Sequence, residues 1–263
     1  MLEIKNVTKI FNKDEGVENQ KIALDNISLK INNGDFVTII GGNGSGKSTL
    51  MNIISGVFFP DSGNIFIDGV DVTKMSENKR AAYLGRVFQD PNVGTAPNMS
   101  ILENLEIASR RGKVSTLKWG FKKENSERFV EVLRGLNLGL ENRMTQKVGL
   151  LSGGQRQAVT LIMATLNEPN LLLLDEHTAA LDPRTAKKVL DLTKDVVTKN
   201  HLTTLMITHN MRDALKYGNR LIMLSDGHII LDVKGEEKEK LTIEDLLQKF
   251  ELNGASISDK MLF

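Results

Sequence analysis

Gly41-Gly42-Asn43-Gly44-Ser45-Gly46-Lys47-Ser48 has the spacing G-x-x-x-x-G-K-[ST]. Glycines in this pattern let the backbone wrap a phosphate chain, with amide N–H groups pointing at it. A helix starting near Lys47 adds the positive end of its dipole. Lys47 would then reach the β- and γ-phosphates, Ser48 would hold Mg²⁺, and Thr49 belongs to the same nucleotide-binding turn. The chemistry is that of a nucleoside triphosphate held by its phosphates.

Such a loop needs an acid for magnesium at the end of another buried strand. Leu171 to Leu174 is a short apolar run that ends in Asp175 and Glu176. Asp175 would hold Mg²⁺ through water and Glu176 would polarise the attacking water. Without the glycine loop, the two acids would read only as a capped strand end. Leu151-Ser152-Gly153-Gly154-Gln155 precedes a helical run through Ala158, Leu161, Ile162 and Ala164. Ser152 is placed to cap that helix, and Gly153 and Gly154 would leave backbone amides exposed, making a second anion-binding helix start. One ATP does not need two such starts from one subunit, so this one would serve the ATP of a second molecule. An ordinary helix start has the same letters.

The elements that must carry these residues are legible in part. Ile27, Leu29 and Ile31 alternate with Ser28 and Lys30, a period of two. Asn33-Gly34 marks a tight turn, and Phe36 to Ile40 is a nearly continuous apolar run, as in a strand buried on both faces. The glycine loop and a helix from Lys47 to about Ser55 follow. From Gln89 to Ala164 helical patterns dominate, with Phe129, Val132, Leu133 and Leu136 on one face. Asp182 and Pro183 read as the N-cap and first position of another helix. Thr203–Thr208 and Arg220–Leu224 read as strands, 235–240 as a charged, solvated linker, and Thr242–Phe250 as a short amphipathic helix. Strands alternating with helices predict an α/β fold, a parallel sheet covered on both faces with a helical insertion.

Composition narrows the rest. Of 263 residues, 40% are hydrophobic and 25% charged, which excludes a disordered or collagen-like chain. Lys+Arg 34 against Asp+Glu 33 gives no support for a nucleic-acid partner. The absence of cysteine excludes a disulfide framework, a thiolate metal site and a cysteine nucleophile, and fits a reducing compartment. The start, MLEIKNVTK, has no signal-peptide run. Phe36–Pro60 has Lys47 as its only charge, but five glycines and a lysine in mid-span argue against a membrane helix.

Taken in order, Gly41–Ser48, Gln89 after Val87-Phe88, Leu151–Gln155, Asp175-Glu176, Ala180-Leu181-Asp182 and His209 resemble the motif series of ABC-type ATPases, over about Met1 to Val233. The resemblance implies a P-loop ATPase core with a mostly parallel sheet, an antiparallel N-terminal β subdomain and an inserted helical subdomain. It implies an ATPase domain over 1–235 (core 1–88 and 165–235, helical insert 89–164) and a C-terminal extension, 236–263, with a short helix. ATP and Mg²⁺ are the implied cofactors. Ser152 and Gly154, within a loop that includes Gly153 and Gln155, would contact the γ-phosphate of ATP on the partner subunit. His209 would hydrogen-bond the γ-phosphate from the P-loop side. Gln89 would sense Mg²⁺ and water, and Asp182 would lie at a homodimer interface. Phe11 matches the aromatic that stacks on adenine, although a strand aromatic in a core would look the same.

His177 departs from the family pattern, which frequently has proline there. It would titrate near neutrality beside two carboxylates or serve a structural part. The strings DEHTAALDP and THNMRDALKYGNRLIML are most similar to ATPases of bacterial amino-acid importers, including tryptophan-type systems. The expected protein is an ATP-hydrolysing subunit working with an integral membrane permease and a solute-binding receptor protein, peripheral at the cytoplasmic face of the cell membrane. The alternative is a soluble ABC ATPase acting in assembly or repair of macromolecules. Lys118-Trp119-Gly120-Phe121-Lys122-Lys123 is a small basic-aromatic cluster, either a packing anchor of the insert or an edge facing a partner.

Overall fold

The computed structural model describes residues 1–112 and 123–252. The cluster around Trp119 lies outside them. The chain forms two compact units, residues 1–80 with the chain from His201 onward, and Ala81–Asn200. The first stretch carries β1 (Leu2–Phe11), β2 (Lys21–Ile31), β3 (Phe36–Gly41), α1 (Lys47–Ser55), β4 (Ser62–Ile67), β5 (Val70–Asp71) and α2 (Glu77–Arg80). The middle carries β6 (Leu84–Val87), α3 (Ile101–Ser109), α4 (Lys123–Arg134), α5 (Gly153–Thr165), β7 (Leu171–Asp175) and α6 (Pro183–Lys199). The last stretch carries β8 (Thr204–Ile207), α7 (Met211–Lys216), β9 (Arg220–Ser225), β10 (His228–Lys234), α8 (Glu236–Glu239) and α9 (Ile243–Leu252).

In the first unit an antiparallel sheet runs β2-β1-β4-β5. Its alternation is the expected one: Ile27, Leu29 and Ile31 are buried while Ser28 and Lys30 are exposed. β4 and β5 are joined by Asp68-Gly69, both at positive φ, a two-residue turn of the kind that hairpin twist favours. The other strands of this unit run β10-β9-β3-β8, with β3 parallel to both neighbours and β10 antiparallel at the edge. Every residue of β3 is buried, which is why it lacks polar alternation. Gly34 takes φ 79° in the turn before it.

α1 buries Leu50, Met51, Ile53 and Ile54 and ends at Gly56, whose φ of 86° and N–H to Asn52 O form a left-handed cap. Arg80, fully buried, donates to the Ile53, Ile54, Thr73 and Met75 carbonyls, so a cation closes the negative end of the helix. Burial pulls its pKa down to about 10.

The second unit pairs β6 with β7 in parallel and packs α3, α4 and α5 around Ile101, Leu105, Phe129, Leu133, Val159 and Ile162. The predicted face of α4 is the buried one. α6 starts as expected, with Asp182 accepting from Thr185 N at 3.0 Å and Pro183 at the first turn. Those hydrogen bonds hold the Asp182 carboxyl below its usual range.

The charged stretch 235–240 is not a solvated linker. It folds as α8, and Lys238 is buried with its Nζ donating to the Tyr217 and Gly218 carbonyls. Burial lowers the Lys238 pKa to about 8. One lysine in the run closes the end of α7, while Glu236, Glu237 and Glu239 stay exposed. α9 is the predicted amphipathic helix, with Leu246 and Phe250 buried against Met211, Ala214, Leu221 and Met223. No helix among the described residues is long and apolar enough to cross a membrane.

Candidate nucleotide site

β3 delivers the glycine loop at its C-terminal end. A Cβ on Gly41 would stand 2.4 Å from the Leu224 carbonyl and 2.5 Å from Ser45 Oγ. Gly46, at φ 102°, would place a Cβ 2.5 Å from the Ala23 carbonyl. Both positions therefore demand glycine. α1 then begins at Gly46 with no side chain capping it, the kind of helix start that suits an anion. Lys47 is buried and its Nζ donates to the Gly41 and Gly42 carbonyls at 2.8 and 2.9 Å. Asn43, Gly44 and Ser48 are exposed at the mouth of the loop.

Phe11 belongs beside this loop. With Lys21, Ala23 and residues Gly44, Ser45, Gly46, Lys47, Ser48 and Thr49 it lines a cleft of about 160 Å³. Its ring meets Phe58 edge-on at 5.5 Å and is half-buried, so it is presented to the cleft rather than sunk in the core. His209 lies at the same sheet end as the loop. β3 and β8 pair at Ile39 and Ile207, and Gly41 and His209 each follow by two residues. Thr208 N donates to Ile39 O at 3.1 Å, which holds the two strand ends together.

In the second unit β6 and β7 pair Val87 with Leu174, so Gln89 and Asp175-Glu176 emerge from the same edge. Asp175 Oδ2 accepts from Arg86 Nη2 at 3.0 Å, and the Arg86 guanidinium lies 4.7 Å over the Phe88 ring. Sequence reasoning missed Arg86, because its neighbour in the pair is 89 residues away. Glu176 adopts φ 44°, a left-handed conformation costing about 1–2 kcal/mol in a residue with a Cβ. His177 does not titrate near neutrality. It is buried, its pKa is pushed down to about 4 by loss of solvent, and its Nε2 lies 3.1 Å from Thr193 Oγ1. The Thr193 hydroxyl donates to Val189 O, so the neutral imidazole donates to Thr193.

The Leu151–Gln155 segment opens α5 with a complete capping box. Ser152 Oγ accepts from Gln155 N, and the Gln155 side chain accepts from Ser152 N. Gly153 is exposed, but Gly154 is buried, and a Cβ there would stand 2.3 Å from Thr185 Cγ2. The second glycine thus permits close packing of α5 on α6, a role the sequence did not suggest.

A glycine loop on a buried parallel strand, leading into an uncapped helix beside an aromatic cleft, defines a nucleotide-binding ATPase fold. The sequence profile of the family described as ABC transporter matches residues 24–179. The chain belongs to the ABC transporter family; it is the ATP-binding subunit of a transporter and an ATPase. It is 49% identical over 251 residues to the tyrosine transport ATP-binding protein of Clostridioides difficile (strain R20291), covering 95% of this chain and 99% of that one. The dimeric structure of MJ0796, a bacterial ABC transporter cassette, superposes with a TM-score of 0.74 at 33% identity, over 89% of this chain and 98% of that one. The ADP conformation of MJ1267, an ATP-binding cassette of an ABC transporter, does so with a TM-score of 0.79 at 31% identity, over 95% and 98%.

Proposed function

We propose that this chain drives an importer for an amino acid, as a homodimer closing around two ATP molecules against an integral membrane permease served by a solute-binding receptor protein. It would sit peripherally at the cytoplasmic face of the cell membrane. The observation that carries the amino-acid assignment is the near full-length, 49% identity to a protein named for tyrosine transport.

In this reading Phe11 stacks on adenine, and the amides of Gly41 to Thr49 with the Lys47 ammonium hold the phosphates. The oxygen donors of Ser48, Asp175 and Gln89 suit Mg²⁺, a hard dication that keeps several waters and takes few protein ligands. Bound there, it would neutralise phosphate charge. Glu176 accepts a proton from the attacking water as the water oxygen bonds to the γ-phosphorus. The bond from that phosphorus to the β–γ bridging oxygen breaks, and its electron pair leaves with ADP. His209 hydrogen-bonds the γ-phosphate. Ser152, Gly153, Gly154 and Gln155 face the partner's ATP, and Asp182 faces the partner. The dimeric MJ0796 cassette supports the shared arrangement.

Glu176→Gln keeps the shape and removes the base. Phosphate release should fall by about 10²–10⁴. Light scattering should then find a dimer with ATP and a monomer with ADP. A variant that stays monomeric with ATP, with and without permease, would refute the shared site. For the substrate, uptake of labelled amino acids by cells lacking the gene should be restored by the wild-type chain and not by Lys47→Ala. Unchanged uptake in those cells would refute the amino-acid assignment.

A further inference from the structure

Of the nine residues lining the cleft beside Phe11, two are cations, Lys47 and Lys21, and none is an acid. Lys47 belongs to the glycine-loop motif. Lys21 belongs to no motif, and its place comes from strand register. It is the first residue of β2 and pairs directly with Phe11, the last residue of β1. Directly opposed residues of an antiparallel pair project on one face with their Cβ atoms about 5 Å apart. The hairpin therefore delivers an aromatic ring and an ammonium group side by side. The ammonium reaches the loop itself: a Cβ built on Gly44 would lie 3.7 Å from Lys21 Nζ.

The neighbouring lysines are engaged elsewhere. Lys9 and Lys13 both pair with Asp61, at 3.4 and 2.9 Å, and Lys9 also lies 5.6 Å from the Phe11 ring centre. The Lys21 side chain makes no hydrogen bond or ion pair with a described residue, and it is exposed. A long side chain held by no partner among the described residues, at the mouth of an acid-free phosphate cleft, is available to an anion.

We propose that Lys21 is a second cationic nucleotide-binding residue, its ammonium meeting the phosphate chain from the solvent side of the cleft while Phe11 takes the base. This rests on the reading of residues 41–49 as the phosphate loop. Lys47 comes up from within the loop and Lys21 from the strand across it, so the phosphate chain lies between two ammonium groups. The contact is solvent-exposed and screened, so its effect is modest and falls with salt.

The test measures binding of ADP and ATP to the full-length chain by titration calorimetry, and of adenosine by competition against a fluorescent ADP analogue. Lys21→Met should weaken ADP and ATP by about five- to tenfold, the scale of one screened charge-assisted hydrogen bond, and adenosine by less than about twofold. Lys21→Arg should restore the wild-type affinities, and the Lys21→Met deficit should shrink as KCl is raised. Lys47→Ala is measured beside it. If Lys47→Ala loses nucleotide and Lys21→Met does not, the Lys21 assignment is wrong. An equal loss for adenosine and ADP also overturns it, since the side chain would then act through packing. Unchanged affinity in both variants overturns the phosphate-loop reading together with this one.

Discussion

α1 and α5 both begin at glycines, and the two starts have opposite physics. α1 opens at Gly46 in a left-handed conformation with no side-chain cap. α5 opens with Ser152 and Gln155 each satisfying the other's backbone N–H, and its second glycine is filled by Thr185. At α1 the glycines let backbone approach a ligand. At α5 a glycine lets one helix approach another. A bare α1 fits a start that receives phosphate within one chain. A pre-formed α5 agrees with the proposal that its start serves the nucleotide of another chain.

The largest effect should come from Gly46→Ala. A Cβ at φ 102° and 2.5 Å from a backbone carbonyl has no flexible neighbour to yield. The cost should be about 3 kcal/mol or more, with no nucleotide binding detectable by calorimetry. Binding retained at near wild-type affinity would break the contrast at the α1 end. Gly154→Ala should cost about 1–3 kcal/mol in chemical denaturation through overlap with Thr185, while single-chain nucleotide affinity holds. Adding Thr185→Ser deletes the offending methyl and keeps the backbone N–H that Asp182 accepts, so stability should return. Failure of that rescue would show that packing is not the reason for this glycine. Ser152→Ala should have the smallest effect on stability, about 1 kcal/mol for a lost cap, again with unchanged single-chain affinity. Its steady-state phosphate release should nevertheless fall. Normal release would mean that α5 contributes packing alone.

The parts legible in sequence were those with short-range causes. The apolar run of β3, the glycine loop, the Asp182-Pro183 start of α6 and the hydrophobic face of α9 all encode their structure within a few residues. Those that escaped depend on partners far along the chain. The β4–β5 hairpin had a local signal in Asp68-Gly69, but its strands are short and only Ile65 and Ile67 are buried. Arg86 and Asp175 meet only because β6 lies beside β7. Lys238 looked solvated because its neighbours are. His177 sits next to two carboxylates in sequence, yet its environment is the buried Thr193 hydroxyl of α6. Phe11 had two readings in sequence, and the register with Lys21 is what turns its ring toward the loop.

The anchored extension limits how this chain could be recombined with its relatives. A junction at Gly235 looks convenient, since a turn separates β10 from everything after it. The tail beyond that point nevertheless supplies Lys238 to the end of α7, and Leu246 and Phe250 to the apolar surface that α7 and β9 share. α7 begins two residues after His209. Exchanging tails between subunits would therefore change what α7, the helix that follows His209, packs against, so a hybrid made at this junction would alter the support of that helix from outside the glycine loop.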